Sequence, residues 1–242
     1  MARPPRFDVP GVAQHIVQRG NNRLPCFARD LDYVRYLQDL RDAASENDCA
    51  IHAYVLMTNH VHLLVTPTTP GALGKMMQAL GRRYVSYFNR HYHRTGTLWE
   101  GRYKSCLVDS EDYVLRCYRY IELNPLRARM VGSPDAYRWS SYCCNAQGKY
   151  DSLITPHATY LSLSPREIDR RQFSSSFVSE AVMEIELQEI RSYLQQGRVL
   201  GSKRFQEHIQ SLHGRVSAIT PLGRPVKVTV DKLRDARLTH IA

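Results

Sequence analysis

The stretch LMTNHVHLLVTP (residues 56–67) sets two histidines, His60 and His62, in an otherwise apolar run. On a strand, residues i and i+2 share a face, so the two imidazoles would point side by side. Two imidazoles can begin a divalent-cation site, but a third ligand must come from elsewhere in the fold. The pair also fits satisfied core or surface histidines. Ten histidines in 242 residues give a His-x-His match roughly 0.4 times by chance, so the bare pattern decides nothing. A second match, His91 and His93 in NRHYHRTG, falls at the end of a helical pattern. There i and i+2 diverge by about 200°, and these two read as solvated or DNA-facing.

A candidate third ligand lies in RYIELNP (residues 119–125). Tyr120 and Asn124 are four residues apart and would share one helix face. Packed on the strand, that helix would bring a phenol and an amide oxygen beside the imidazoles. Nitrogen and oxygen donors with open positions suit Mg²⁺ or Mn²⁺ next to a phosphate. The alternative has Tyr120, one of fifteen tyrosines, packed as core. Glu122, two residues on, would face another side of the helix and is a poor candidate for a base.

These residues need elements to hold them. AQHIVQRG (13–20) reads as a strand. Residues 30–47 read as a helix with Val34, Leu37, Leu40 and Ala44 at helical spacing, Tyr33 beside them, and Asp30 as cap. Residues 50–57 and 60–66 read as an antiparallel hairpin across Thr58 and Asn59. Residues 72–92 form a helix with a basic face, and KSCLVD (104–109) a short strand. A helix over 110–124 has Ser110 as cap and Glu111 and Asp112 suited to its N-terminus; Pro125 ends it. The order predicts a ferredoxin-like α+β fold, an antiparallel sheet with helices packed on it, over residues 10–132. Beyond it, SPREIDRRQF, VSEAVMEIELQEIRSYLQQG and SKRFQEHIQSLHG read as helices. The division expected is one unit over 1–149 and a helical appendage with a flexible basic tail over 150–242.

Net charge is +10 and pI near 9.4, which suggests a polyanionic partner. Between Lys75 and Lys104 seven basic residues face one acid, Glu100, and aromatics from Tyr84 to Tyr103 interleave with them. Basic groups neutralise phosphates while rings stack on unpaired bases. Arg19, Asn21 and Asn22 in QRGNNR are candidates to clamp unpaired bases. Arg82, Arg83, Arg90, Arg102 and Lys104 are candidates for a nucleic-acid backbone; the alternative is an ordinary solvated surface. GRPVK (223–227) is similar to a Gly-Arg-Pro core that enters minor grooves, though without a repeat. None of the six cysteines forms a C-x-x-C pair, which argues against a thiolate zinc site and for free, mostly packed thiols. An apolar run long enough to span a membrane is missing, as is an apolar signal core in MARPPRFDVPG, so a cytoplasmic location is expected.

AYVLMTNHVHLLV, GTLWEGRYKSCLV, DYVLRCYRYIELNPLRARMV and WSSY, in that order and spacing, resemble the REP-associated tyrosine transposases. These are domesticated relatives of insertion-sequence transposases within the single-tyrosine HUH superfamily. The resemblance covers about residues 6–145 and touches the tail at GRVLGSKRFQEHI and GRP. It implies His60 and His62 as metal ligands, Asn124 as the third, and Tyr120, five residues before Pro125, as nucleophile. It also implies a catalytic unit over 1–149 that acts on single-stranded DNA, at palindromic repeats that form hairpins flanked by a tetranucleotide. The metal expected is Mg²⁺ or Mn²⁺ and the setting the nucleoid. The appendage leans the reading to a monomer, with a homodimer as the alternative.

The chemistry expected is strand cleavage by transesterification through a 5′-phosphotyrosine, leaving a free 3′-hydroxyl. Phenols have a pKa of about 10 and are protonated at neutral pH, so a base or metal must assist; the sequence does not name the base. Two other readings compete. One is a non-cleaving module that holds hairpin DNA; the other is a metal-dependent nuclease with water as nucleophile, for which Tyr120→Phe stays active.

Overall fold

β1 (Gln14–Arg19), β2 (Cys49–Met57), β3 (His60–Pro67) and β4 (Lys104–Val108) pair antiparallel in the order β2-β3-β1-β4. α1 (Asp30–Glu46) joins β1 to β2, and α2 (Ala72–His91) joins β3 to β4. This is the expected ferredoxin-like α+β arrangement. The structure is a computed structural model that describes residues 5–110, 112–179 and 183–220. Glu111 and the Gly-Arg-Pro stretch at 223–225 lie outside the described residues.

The sheet departs from the expectation at one edge. β5 (Val199–Leu200) lies parallel to β4 as a fifth strand, so the sheet is mixed. Two residues are too few to show a period of two, and nothing in the local sequence marks them as sheet. Thus the C-terminal part of the chain joins the sheet itself. There α5 (Tyr142–Gln147), α6 (Ala158–Leu161), α7 (Glu167–Ser179), α8 (Glu184–Gln196) and α9 (Lys203–His213) follow the two helices that carry RYIELNP. The expected helix over 178–197 begins later than its pattern, since Val178 and Ser179 end α7 and α8 starts at Glu184. α8 packs against β4 and β1.

α1 forms where expected and buries the expected face except at Val34, with Leu37 partly buried against the core. Tyr33, Tyr36, Leu40, Ala43 and Ala44 are buried, whereas Val34 is 51% exposed. The large rings win the core side: Tyr33 stacks on Phe27 and Trp139, and Tyr36 meets Tyr84 edge-on. Asp30 is not the cap. Asp32 reaches back to accept the N–H groups of Ala28 and Arg29 at 2.8 and 3.1 Å, while Asp30 pairs with Arg138 at the surface.

The hairpin turns at Thr58 and Asn59, neither with positive φ. Tight two-residue hairpins usually need that conformation; here the turn is held by neighbouring backbone instead. The Gly20 N–H donates to Asn59 O at 2.8 Å and the Cys26 N–H to Thr58 O at 2.9 Å. Gly20 must approach closely to do so, because a Cβ there would lie 2.2 Å from the Leu24 carbonyl oxygen.

Both faces of β3 are covered. Val61, Leu63 and Val65 face one side and His62 and Leu64 the other, all buried. α1 and α2 pack against each other on one face of the sheet. α3 (Asp112–Glu122) packs on β2 and β3 over the face that carries His60 and His62. All six cysteines are free, and Cys26, Cys49, Cys106 and Cys117 are buried. Among the described residues no helix is long and apolar enough to cross a membrane.

Candidate active site

His60 and His62 stand on one face of β3, with ring centroids 5.2 Å apart. Strand pairing sets Arg19 opposite His60 and Val17 opposite His62, so His15, Val17 and Arg19 of β1 share that face. Lys104 of β4 pairs with Val17. The Glu100 N–H donates to Arg19 O at 2.8 Å, which folds the 99–103 loop back over the end of β1.

Tyr120 comes down from α3, 6% exposed, with its ring 5.6 Å from His62. Asn124 opens the next short helix, α4 (Asn124–Arg127), rather than continuing α3. Pro125 explains the break: with no N–H it cannot donate to the Ile121 carbonyl. The Asn124 Nδ2 donates instead to Tyr120 O at 3.0 Å and Ile121 O at 3.4 Å. Its Oδ1 therefore remains for a ligand. The helical path is otherwise kept, since Leu123 N–H donates to Arg119 O and Arg127 N–H to Leu123 O. Tyr120 and Asn124 thus stay one turn apart on one side, as their spacing requires.

One pocket of about 430 Å³ gathers His60, His62, Tyr120 and Asn124 with Arg19, Arg102 and Lys104. α8 supplies a further wall, Arg191, Leu194 and Gln195. Among the lining residues Glu100 is the acid against four cations, Arg19, Arg102, Lys104 and Arg191. Such a pocket suits a phosphodiester.

The imidazoles are neutral. Burial pushes His60 down to about 4, with Arg19 adding to the shift. Burial holds His62 well below the usual range, reinforced by His15, His60 and the nearby arginines. Neutral rings are what metal ligation needs. The His60 Nδ1 lies 2.7 Å from Asn59 Oδ1, an acceptor, so Nδ1 carries the proton and Nε2 keeps its lone pair. Among the described residues no three His, Cys, Asp or Glu side chains cluster as a metal site. His60, His62 and Asn124 line the same pocket, where two imidazole nitrogens and an amide oxygen could serve as donors to a hard divalent cation.

The sequence missed several contributors. His15 is fully buried, and its Nε2 lies 2.9 Å from His62 Nδ1. Burial first, then Arg127, pushes it down to about 3. Arg127 sits 4.4 Å over the Tyr120 ring centroid. Asn59 stood beside the motif, and its role follows from a side chain known to accept locally. His15 and the α8 wall gave no local signal.

Glu122 points away from the site, as its spacing implies. It is fully buried, accepting from Ser141 Oγ at 2.7 Å and Asn145 Nδ2 at 2.8 Å. The expected nucleic-acid residues fall in three places. Arg19, Arg102 and Lys104 line the pocket. Arg82, Arg83 and Arg90 line a separate basic depression of about 750 Å³ between α1 and α2, together with His91 and His93. Arg83 there is already paired, its Nη2 donating to both Glu46 oxygens at 2.7 Å. Asn21 and Asn22 form a 3₁₀ turn after β1, with Asn22 exposed, and neither lines the pocket.

Fold and pocket together define a ferredoxin-like domain built around a His-x-His strand and a tyrosine helix. Residues 8–124 match the family model of IS200-like transposases. The fold is shared with a REP-associated tyrosine transposase solved bound to a REP hairpin, at TM-score 0.50 and 16% identity over 65% of this chain and 93% of that one. The resemblance read from the motifs is thereby borne out. A Deinococcus radiodurans R1 protein assigned as a transposase aligns at TM-score 0.35 and 21% identity, over 54% of this chain and 91% of that one. Among curated proteins none matches the chain.

Proposed function

We propose that the chain is a metal-dependent nickase and strand transferase acting on single-stranded DNA that carries REP-type palindromic hairpins. The observation that carries this reading is the convergence of His60, His62, Asn124 and Tyr120 in one basic pocket. Binding alone needs no phenol aligned with a nitrogen and oxygen donor set. The hairpin substrate is supported by the ligand of the REP-associated transposase that shares the fold.

His60, His62 and Asn124 would hold Mg²⁺ or Mn²⁺, whose charge stabilises the scissile phosphate and its leaving oxygen. Tyr120 attacks phosphorus in line. The phenol oxygen–phosphorus bond forms, the bond to the 3′-oxygen breaks, and the phenol proton ends on the released 3′-hydroxyl. The 5′-phosphate stays on Tyr120, and a second 3′-hydroxyl can reverse the step and join strands. Arg19, Arg102, Lys104 and Arg191 neutralise the backbone around the scissile bond. Asn21 and Asn22 contact bases outside the pocket, and Arg82 and Arg90 take a more distant phosphate stretch.

Residues 1–149 are read as the catalytic unit and 150–242 as an appendage that closes one wall of the pocket through α8. The protein works as a monomer in the cytoplasm, at the nucleoid.

The test is incubation with end-labelled hairpin DNA and Mn²⁺, resolved on denaturing gels. A protein–DNA adduct that disappears on chelation and in Tyr120→Phe is expected. Cleavage by Tyr120→Phe at the wild-type rate would overturn the nucleophile in favour of water. Tight hairpin binding with no cleavage by wild type would point to the non-cleaving module.

A further inference from the structure

The hydrogen bond between His15 Nε2 and His62 Nδ1, 2.9 Å long, admits two proton placements with different consequences. If His15 donates, the proton of neutral His62 sits on its other nitrogen, Nε2, which then has no lone pair for a cation. If His62 donates from Nδ1, its Nε2 is a free lone pair and His15 keeps its proton on Nδ1. For His60 the choice is already made, because Asn59 Oδ1 can only accept.

We propose that His15 is a positioning residue: it accepts the Nδ1–H of His62 and so turns the His62 Nε2 lone pair toward the pocket. The inference rests on the metal-binding reading of His60, His62 and Asn124. Two observations support it. Among the described residues the buried His15 Nδ1 has no hydrogen-bond partner, so the link to His62 is the hydrogen bond this ring makes there. A site that needed only packing would be filled better by an apolar ring, which leaves no orphaned nitrogen. His15 also contacts the nucleophile, with its ring 5.4 Å from that of Tyr120 and edge-on to it. One buried ring therefore orients both a proposed ligand and the proposed nucleophile.

Two measurements on the full chain decide the matter. In metal-free protein with ¹⁵N-labelled histidine, long-range ¹H–¹⁵N correlation spectra report the neutral tautomer of each ring. His62 is expected with its proton on Nδ1; a proton on Nε2 would overturn the proposal. The second measurement is Mn²⁺ affinity, followed by the electron paramagnetic resonance signal of free Mn²⁺. His15→Phe keeps an aromatic ring, somewhat larger, but cannot accept, and should weaken Mn²⁺ binding at least about tenfold. His15→Gln, which can accept through Oε1, should recover most of that loss. A purely structural role would lower the melting temperature in both variants without separating their Mn²⁺ affinities, and that result would overturn the proposal. If His15→Phe does not fold, the wild-type tautomer still decides. Wild-type protein that takes up no Mn²⁺ while His62 carries its proton on Nδ1 would sink the metal reading and leave the His15 hydrogen bond in place.

Discussion

The Arg127 guanidinium lies 4.4 Å from the centroid of the Tyr120 ring, and its Nη2 donates to the Tyr120 carbonyl at 2.8 Å. One side chain thus fixes the tyrosine at ring and backbone from the turn that follows it. Arg127 does not line the pocket, so it acts through Tyr120. A cation over an aromatic face contributes about 0.5–2 kcal/mol. Arg127→Ala should lower stability by about that amount and, on the proposed mechanism, slow single-turnover adduct formation roughly tenfold through a misplaced Tyr120. Arg127→Lys should fall between, because an ammonium cannot stack and donate in the same plane. Wild-type adduct rates in the alanine variant, with only the melting temperature lowered, would reduce Arg127 to a structural part.

Glu122 predicts a pH effect on stability opposite in sign to that of the buried site histidines, whose lowered pKa values make stability fall as pH falls. Burial raises its carboxyl to about 7, and the bonds from Asn145 and Ser141 only partly oppose the rise. The folded state therefore holds this proton more tightly than the unfolded chain does. Its stabilising influence is complete below the ordinary value of 4.5 and is lost as pH rises toward 7. Relative to Glu122→Gln, the wild type should lose about 3 kcal/mol across that window. Urea unfolding of both proteins at several pH values measures the difference. Parallel curves would show that the Glu122 carboxylate ionises in the fold without cost.

The chemistry was legible in the sequence wherever it followed one element's own period. His60 and His62 share a face because strands alternate, and Tyr120 and Asn124 align because helices turn in about four residues. His15 was not legible. Its partner lies across the sheet, and only the β1–β3 register brings it to His62. Arg191, Leu194 and Gln195 were hidden for the same reason, since α8 reaches the pocket through tertiary packing on β4. In α1 the period and most of its phase were legible, and Val34 alone fell outside the core. Val34 and the tyrosines competed for the core side, and ring stacking with Phe27 and Trp139 settled it.

Gly20 offers a test of how the hairpin and the QRGNNR turn depend on each other. A methyl group at this position would meet the Leu24 carbonyl oxygen at 2.2 Å, backbone that has no side-chain freedom to give way. The same residue donates to Asn59 O, in the turn that leads into His60. Gly20→Ala should destabilise the fold by about 1–3 kcal/mol. It should also loosen the histidine end of β3, seen as faster amide exchange at Asn59 and His60. A variant with unchanged melting temperature and exchange would show that the 20–24 turn moves aside freely.

Arg191 and Arg83 should separate the pocket from the general basic surface. Arg191 lines the pocket from α8, 44% exposed at its side chain, with Glu184 as its ion-pair partner at 3.0 Å. An exposed pair of this kind adds little stability, so Arg191→Ala should fold normally. If the single strand passes α8, the variant loses one phosphate contact. The slope of log affinity against log salt should then fall by about 0.7, with several-fold weaker binding at moderate salt. Arg83 already has both Glu46 oxygens to neutralise it, so Arg83→Ala should change affinity less than about twofold. Fluorescence anisotropy with a labelled hairpin carrying a single-stranded flank, at four salt concentrations, measures both. Equal losses in the two variants would mean that net charge, rather than a path along α8, governs the affinity.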